Sequence, residues 1–214
     1  PENSIFIIGS PDIDIMKSDQ LPTLREVKKR YEINYNRYAI AMYHPVTTEL
    51  DRLQTNIKEF VSALIDSNKK YVVIFPNNDA GSHIILKEYS KIESHPNFEI
   101  FPSIRFEYFL TLLKHAEFII GNSSAGIREA EIYGVPAIDI GNRQQNRYQP
   151  YQKNIIHVND KKEEILSAIK RIKSLKITRS ETFGNGKSDE HFIKILEDEK
   201  IWKLDIQKNF VDIN

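Results

Sequence analysis

The most informative part of this chain is Phe118-Ile119-Ile120-Gly121-Asn122-Ser123-Ser124-Ala125-Gly126-Ile127-Arg128-Glu129-Ala130. Its apolar start predicts a short buried strand, because β-branched and aromatic residues favour strands. Small polar residues follow, and then Ile127 and Ala130 open a helix-like segment. A strand that turns directly into a helix collects free backbone N–H groups and the positive end of the helix dipole. The stretch therefore predicts either an anion site or an ordinary turn in which Ser123 caps a helix.

Glycine is concentrated in and after this stretch. Of the eight glycines in the chain, four lie at Gly121, Gly126, Gly134 and Gly141. Glycine is used where the backbone approaches another group closely or adopts a positive φ. The glycines fit the anion site, but the choice between that site and simple capping depends on the rest of the chain.

Outward from this stretch, apolar strands alternate with amphipathic helices. The predicted strands are 5–9, 38–43, 71–75, 98–101, 118–120, 137–140 and 155–158. Helices are predicted at 21–31, from 48 to 64, around 84–89 and 106–113, at 164–173 and around 192–196. Thr48 followed by Asp51 predicts a variant capping box for the second helix. From Tyr38 to Lys173 the alternation indicates right-handed βαβ crossovers, hence an α/β fold with a parallel sheet covered on both faces.

Ligands of such a sheet bind beyond the carboxyl ends of its strands. Polar residues follow five of the predicted strands; they are His44, Asn77, Asp79, Arg105, Ser123, Ser124 and Arg143. Glu129, early in the predicted helix, could accept hydrogen bonds from ribose hydroxyls. Alternatively, it is a surface residue that the helix dipole stabilises near the N-terminus. Arg143 could pair with a diphosphate or be plain surface charge.

Composition excludes several classes of function. The chain has 214 residues, with 30 basic and 30 acidic side chains and no cysteine. Disulfides and thiolate metal sites are therefore excluded, and no overall field draws the chain to nucleic acid. The absence of a long apolar run and of a signal peptide predicts a soluble, cytoplasmic chain without membrane contact.

Neither a metal nor a cofactor is expected. The six histidines are far apart in sequence, and most are expected to be solvated or structural, with His44 as the exception. The G-x-S-x-G, G-x-G-x-x-G and P-loop patterns are absent. Serine-hydrolase, nicotinamide and ATP-hydrolysis chemistry are accordingly not predicted.

Several segments together resemble the hydrolysing UDP-N-acetylglucosamine 2-epimerase family, in its sialic- and legionaminic-acid branch. The segments are His44-Pro45-Val46-Thr47-Thr48, Phe75-Pro76-Asn77-Asn78-Asp79-Ala80-Gly81, His95-Pro96-Asn97-Phe98, Gly121 to Glu129, and Gly141-Asn142-Arg143-Gln144. Phe183-Gly184-Asn185-Gly186 is similar to the family's Tyr-Gly-Asp-Gly motif, with Phe and Asn substituted.

The resemblance implies a GT-B architecture, in which UDP-sugar binds between two Rossmann-like domains. This chain would be the C-terminal half, a Rossmann-like doubly wound parallel sheet. Residues 1–20 would be an interdomain connecting strand and loop, 21–178 the UDP-binding domain, and 179–214 a crossover helix and tail. The N-terminal domain, which carries the acid/base carboxylates, would be missing, so this half alone is expected to be inactive. The whole enzyme would be a homodimer.

The resemblance also implies roles for individual residues. Ser123 and Ser124 would bind the diphosphate, Glu129 the ribose, and the backbone near Ile104 the uracil. Asn77, Asp79 and Arg143 would complete the UDP site, and His44 would stabilise charge on the leaving phosphate. The implied ligands are UDP and a UDP-N-acetylhexosamine, which loses UDP by anti-elimination and is hydrated to N-acetylmannosamine or a related sugar. The alternatives are the nucleotide domain of a GT-B glycosyltransferase and a non-catalytic nucleotide-sugar binding module.

Overall fold

The computed structural model describes residues 4–148, 153–175, 177, 179 and 181–204. The chain divides into two compact units. One comprises residues 20–180, and the other combines residues 1–19 with residues 181–214. The larger unit contains the sheet and every predicted site residue.

In the described part of the larger unit, six strands form the sheet: β1 Ala39–Met42, β2 Tyr71–Ile74, β3 Phe98–Phe101, β4 Ile119–Gly121, β5 Ala137–Ile140 and β6 Ile155–Val158. Their order is β3-β2-β1-β4-β5-β6, and every neighbouring pair is parallel. This is the doubly wound Rossmann order, whose direction of winding reverses between β1 and β4. The predicted fold class, a Rossmann-like doubly wound parallel sheet, is therefore confirmed.

The α-helices within the described residues are α1 Pro11–Lys17, α2 Leu24–Arg30, α3 Leu50–Asp66, α4 Ser82–Tyr89, α5 Phe106–Lys114, α6 Glu129–Tyr133, α7 Lys162–Arg171 and α8 Ser188–Glu197. Helices α2 to α7 belong to the larger unit. The core follows the predicted periodicity, because α3 buries Leu53, Ile57 and Phe60 at helical spacing. All four residues of β2 are buried, as expected for a strand covered on both faces.

Three local predictions were wrong. Residues 5–9 form no strand, and Ile5 and Ile7 are 71% and 91% exposed. A strand needs a ladder partner, and none of the described strands pairs with this apolar run. Helix α3 begins at Leu50, and its N-cap, Glu49, makes no side-chain cap bond, so the predicted Thr48 capping box does not form.

The third correction concerns the helix expected directly after the serines. A 3-10 turn at Ser124–Gly126 follows Ser123, and α6 begins only at Glu129. A full capping box does occur in the chain, but at α2, where Thr23 and Glu26 exchange both bonds.

In the smaller unit, α1 and α8 meet around one carboxylate. Asp14 accepts hydrogen bonds from the backbone N–H of Ser188 (3.1 Å) and from its hydroxyl (2.5 Å). The Phe183–Gly186 motif lies beside the start of α1, where the N–H of Ser10 donates to the carbonyl of Phe183 (2.9 Å). Among the helices of the described residues, none has both the length and the apolarity needed to cross a membrane.

Candidate functional site

Strand β4 ends at Gly121, where the sheet reverses its winding. Gly121 has φ +135°, and a Cβ there would lie 1.8 Å from the carbonyl oxygen of Met42 in β1. Only glycine permits this approach. The next residue, Asn122, donates its N–H to the same carbonyl (3.1 Å), so the turn begins directly against the end of β1.

Asn122 joins the two strand ends. Its side chain accepts a hydrogen bond from the N–H of His44 (2.7 Å) and donates one to the carbonyl of His44 (2.9 Å). Asn122 is 1% exposed, so both bonds are shielded from water. The amide therefore fixes the backbone of His44 at the switch point of the sheet, where doubly wound folds bind ligands.

The His44 ring is held in one neutral tautomer. Its Nδ1 accepts the backbone N–H of Asn77 (3.0 Å), so a neutral ring carries its proton on Nε2. Burial, assisted by the charge of Arg143, lowers the pKa of His44 to about 4, against a smaller opposing effect of Asn77 and Asp79. At neutral pH the ring therefore presents an Nε2–H donor.

Arg143 and Gln144 converge on the backbone of Asn122. The guanidinium of Arg143 (3.2 Å) and the amide nitrogen of Gln144 (2.8 Å) both donate to the Asn122 carbonyl. Burial lowers the pKa of Arg143, with a contribution from Arg147, but an arginine remains charged. A half-buried cation therefore lies beside the neutral His44 ring.

The serine turn, defined as Ser123 to Gly126, contains a side-chain cap and, among the described residues, also has backbone N–H groups without an acceptor. The hydroxyl of Ser123 accepts the N–H of Ala125 (3.3 Å), so the expectation of simple capping is partly met. The N–H groups of Gly126, Ile127 and Arg128 donate to the carbonyls of Ser123 and Ser124. Within the described part of the chain, the backbone N–H groups of the two serines themselves have no acceptor. Two adjacent free donors beside a cation form a site suited to an anion.

Asp79 lies next to this group of residues. It accepts a hydrogen bond from the side-chain amide of Asn77, and its charge acts on both His44 and Arg143. The structure thus brings together His44, Asn77, Asp79 and Arg143. Ser123 joins them through Asn122, which precedes it in the chain.

Two predicted site residues have no contact with this group in the hydrogen bonds described above. Ile104 follows β3, an edge strand of the sheet, in a segment held by Tyr31, whose hydroxyl accepts the N–H of Arg105 (3.0 Å). The ring of Tyr31 packs edge-on against Phe101 (5.6 Å between centroids). Glu129 is half-buried in the first turn of α6. Burial raises the pKa of the Tyr133 phenol, and the charge of Glu129 adds to that effect.

Sequence reasoning missed Asn122 and Gln144, which are 1% and 0% exposed. Both belong to motifs that the sequence analysis quoted, but neither was given a role. For Asn122 the signal was its position, since an amide directly after a strand-ending glycine has backbone groups to satisfy. Among the described residues, no group of three or more His, Asp and Glu side chains could hold a metal ion.

Comparison with known proteins gives consistent matches. The family profile described as UDP-N-acetylglucosamine 2-epimerase matches residues 1–197. A UDP-N-acetylglucosamine 2-epimerase of Neisseria meningitidis serogroup B is 47% identical over 98% of this chain and 56% of the relative. A UDP-N,N'-diacetylbacillosamine 2-epimerase (hydrolyzing) of Legionella pneumophila is 27% identical over 92% of this chain and 52% of the relative. The chain thus spans about half the length of the curated relatives it matches.

Solved structures show the same fold. The UDP-GlcNAc 2-epimerase of Methanocaldococcus jannaschii has a TM-score of 0.70 at 23% identity, covering 92% of this chain and 56% of that one. A crystal structure of a UDP-GlcNAc 2-epimerase from N. meningitidis bound to UDP-GlcNAc has a TM-score of 0.71 at 13% identity, covering 92% of this chain and 56% of that one. At these identities the likeness concerns the fold alone.

Proposed function

Because the chain belongs to the UDP-N-acetylglucosamine 2-epimerase family, we propose that the carboxyl edge of its sheet binds the UDP portion of a UDP-N-acetylhexosamine. One observation carries the proposal. The neutral His44 ring, the Arg143 cation and the free N–H groups of the serine turn are all fixed around Asn122 at the switch point. This set combines charge with directed donors, as recognition of a diphosphate requires.

In this proposal the diphosphate lies on the serine turn. The backbone N–H groups of Ser123 and Ser124 donate to phosphate oxygens, and the guanidinium of Arg143 supplies the positive charge. The Nε2–H of His44 donates to the phosphate that carries the sugar. As the sugar leaves, negative charge grows on that phosphate, and a donor already held in place stabilises it.

The uracil lies toward β3, where the backbone beside Ile104 reads it. Glu129, at the start of α6 after β4, accepts hydrogen bonds from the ribose hydroxyls. Asn77 and Asp79 line the nucleotide between β1 and β2. We assign residues 1–20 to an interdomain connection that lacks the predicted strand, 21–178 to UDP binding and 179–214 to a crossover helix and tail.

The reaction we assign to the whole enzyme is hydrolysing 2-epimerisation. A base removes the C2 proton, the C1–O bond to UDP breaks, and the electron pair leaves with UDP. Water then gives its hydroxyl to C1 while a proton returns to C2 from the opposite face. In support, relatives from L. pneumophila (27% identical) and Campylobacter jejuni (32% identical) are named as hydrolysing enzymes.

The groups that move the C2 proton are assigned to the part of the relatives that this sequence does not span. This chain alone would therefore bind UDP without turnover. A cytoplasmic homodimer remains part of the proposal, as does a role in making precursors of sialic-acid type. A 32% identical relative is named a polysialic acid biosynthesis protein.

The proposal is tested with a protein that carries this sequence within the full length of its relatives. On incubation with UDP-N-acetylglucosamine it should release UDP and free N-acetylmannosamine in equal amounts. Formation of UDP-N-acetylmannosamine without free UDP would show a non-hydrolysing epimerase. UDP release that requires an added acceptor sugar would show a glycosyltransferase, and absence of both reactions would refute the enzymatic proposal.

A further inference from the structure

The connection between β5 and β6 contains Arg143. Farther along it, Tyr148 is hydrogen-bonded to the buried carboxylate of Asp139. We propose that Asp139, acting with Tyr148 and His157, positions Arg143 for the diphosphate of the ligand. The inference rests on the proposed function, because it assigns a positioning role within the same site.

Asp139 joins three parts of the larger unit. It lies in β5 with 3% of its surface exposed, and its backbone is in register with His157 of β6. One carboxylate oxygen, Oδ2, accepts the hydroxyl of Tyr148 (3.0 Å) and lies 3.0 Å from Nδ1 of His157. The carboxylate thus connects β5, β6 and the connection between them.

The segment from Asn142 to Tyr148 is held at both ends. At its start, Arg143 and Gln144 donate to the carbonyl of Asn122. Its middle is coiled in two turns, in which Gln145 donates to the carbonyl of Asn142 (3.0 Å) and Arg147 to that of Gln144 (3.1 Å). At its end stands the Tyr148–Asp139 bond. Loosening that end frees the turns from which the Arg143 side chain projects.

Fold stability alone does not call for a carboxylate at this position. The other residues of β5 are Ala137, Ile138 and Ile140, all buried and apolar. Burial raises the pKa of Asp139, and within the described residues its Oδ1 has no hydrogen-bond partner. A buried, incompletely bonded carboxylate is less favourable than an apolar side chain of similar size. What Asp139 provides, and an apolar residue would not, is the acceptor that holds Tyr148.

The test compares ligands with and without phosphates on the 214-residue chain. Tyr148→Phe removes only the hydroxyl, so UDP should bind about fivefold to tenfold more weakly while uridine affinity stays unchanged. In an Arg143→Ala background, the same change should have no further effect on UDP affinity, because the group that it positions is gone. Equal losses for UDP and uridine, or independent effects of the two substitutions, would overturn the positioning role.

Tyr71→Phe is the matched control. It removes a buried hydroxyl bonded to Ser67 (2.7 Å), which lies before the amino end of β2. It should lower stability without changing the ratio of UDP to uridine affinity.

A second readout needs no ligand, so it remains decisive even if the chain does not bind UDP and the proposed function fails. In Tyr148→Phe, hydrogen exchange at the amides of Gln145 and Arg147 should quicken several-fold relative to the amides of β5. Unchanged exchange at these two amides would refute the anchoring of the connection by Asp139.

Discussion

Asn122 and the backbone of His44 are joined by two hydrogen bonds, of 2.7 and 2.9 Å, across the point where the sheet reverses its winding. The carbonyl of Asn122 in turn accepts from Arg143 and Gln144. One buried amide residue therefore sets the relative positions of the ring and the guanidinium that we assign to phosphate binding.

Replacement of Asn122 by alanine should destabilise the chain by about 2–4 kcal/mol, because two backbone groups of His44 lose their partners in a buried place. Urea unfolding measures this change. Asn97→Ala is the control, since it removes an exposed side-chain bond to Asn68 and should cost under about 0.5 kcal/mol. Similar values for the two variants would contradict the structural role of Asn122.

The low pKa of His44 predicts a pH dependence of stability. The unfolded chain takes up a proton at His44 near pH 6.5, whereas the folded chain does so only near pH 4. The contribution of His44 is therefore complete above about pH 6.5 and is lost as pH falls toward 4, by up to about 3 kcal/mol.

His44→Gln should flatten the fall in unfolding free energy between pH 7 and pH 4.5. Because other carboxyl groups titrate in the same range, the quantity to compare is the difference between variant and wild type at each pH. His83→Gln, at an exposed position of α4, is the control and should leave the slope as in wild type. An unchanged slope in His44→Gln would show that the histidine is not held neutral.

Two glycines of the same turn should differ greatly in how much stability is lost on replacement by alanine. In Gly121→Ala the new Cβ would meet the Met42 carbonyl oxygen at 1.8 Å, at a φ of +135°. We expect a loss above about 4 kcal/mol or failure to fold. In Gly126→Ala the nearest atom lies at 3.5 Å, an ordinary contact, and the change should stay within about 1 kcal/mol. Thermal unfolding of both variants provides the comparison, and a stable, soluble Gly121→Ala would contradict the close approach of β1 and β4.

The alternation of strands and helices could be predicted from the sequence because each strand is short, apolar and bounded by turn residues. From β1 to β6 every strand lies within one residue of its predicted limits. Hydrophobic periodicity indicates which residues are buried, however, and not which strand a segment pairs with. The apolar run at 5–9 has no strand beside it among the described residues, and this cannot be read from local sequence.

The site was predicted from polar side chains at strand ends. Much of its geometry, however, is set by hydrogen bonds between side chains and backbone groups. His44 and Arg143 were found because a histidine or an arginine after a strand suggests chemistry. Asn122 was not predicted, because its side chain bonds the backbone of His44, which is far away in sequence. His157 was expected to be solvated or structural, and its pairing with Asp139 depends on the register of β5 and β6.

If Glu129 receives the ribose hydroxyls, Glu129→Ala should weaken UDP binding by about 1.5–3 kcal/mol, the range for hydrogen bonds to a charged group. It should also remove the preference for UDP over 2′-deoxy-UDP. Calorimetric titration gives both quantities, with Glu163→Ala in the first turn of α7 as the control. An equal preference in variant and wild type would exclude the ribose role.

Tyr31 should govern base selectivity through the segment beside Ile104. Tyr31→Phe removes the acceptor for the Arg105 N–H, so the preference for UDP over CDP should fall about threefold to tenfold. Tyr108→Phe is a close control, because the Tyr108 ring packs on Tyr31 but its hydroxyl makes no hydrogen bond within the described residues. Retained selectivity in Tyr31→Phe would show that this segment does not read the base.

We expect UDP to bind at the carboxyl edge of the sheet, around the switch point between β1 and β4. Titration of the ¹⁵N-labelled chain with UDP, followed by NMR, locates the bound nucleotide. The largest amide shifts should occur at Ser123, Ser124 and Asn77, while the amide of Glu117 at the amino edge stays unchanged. Absence of shifts at the serine turn, or the largest shifts at the amino edge, would contradict it.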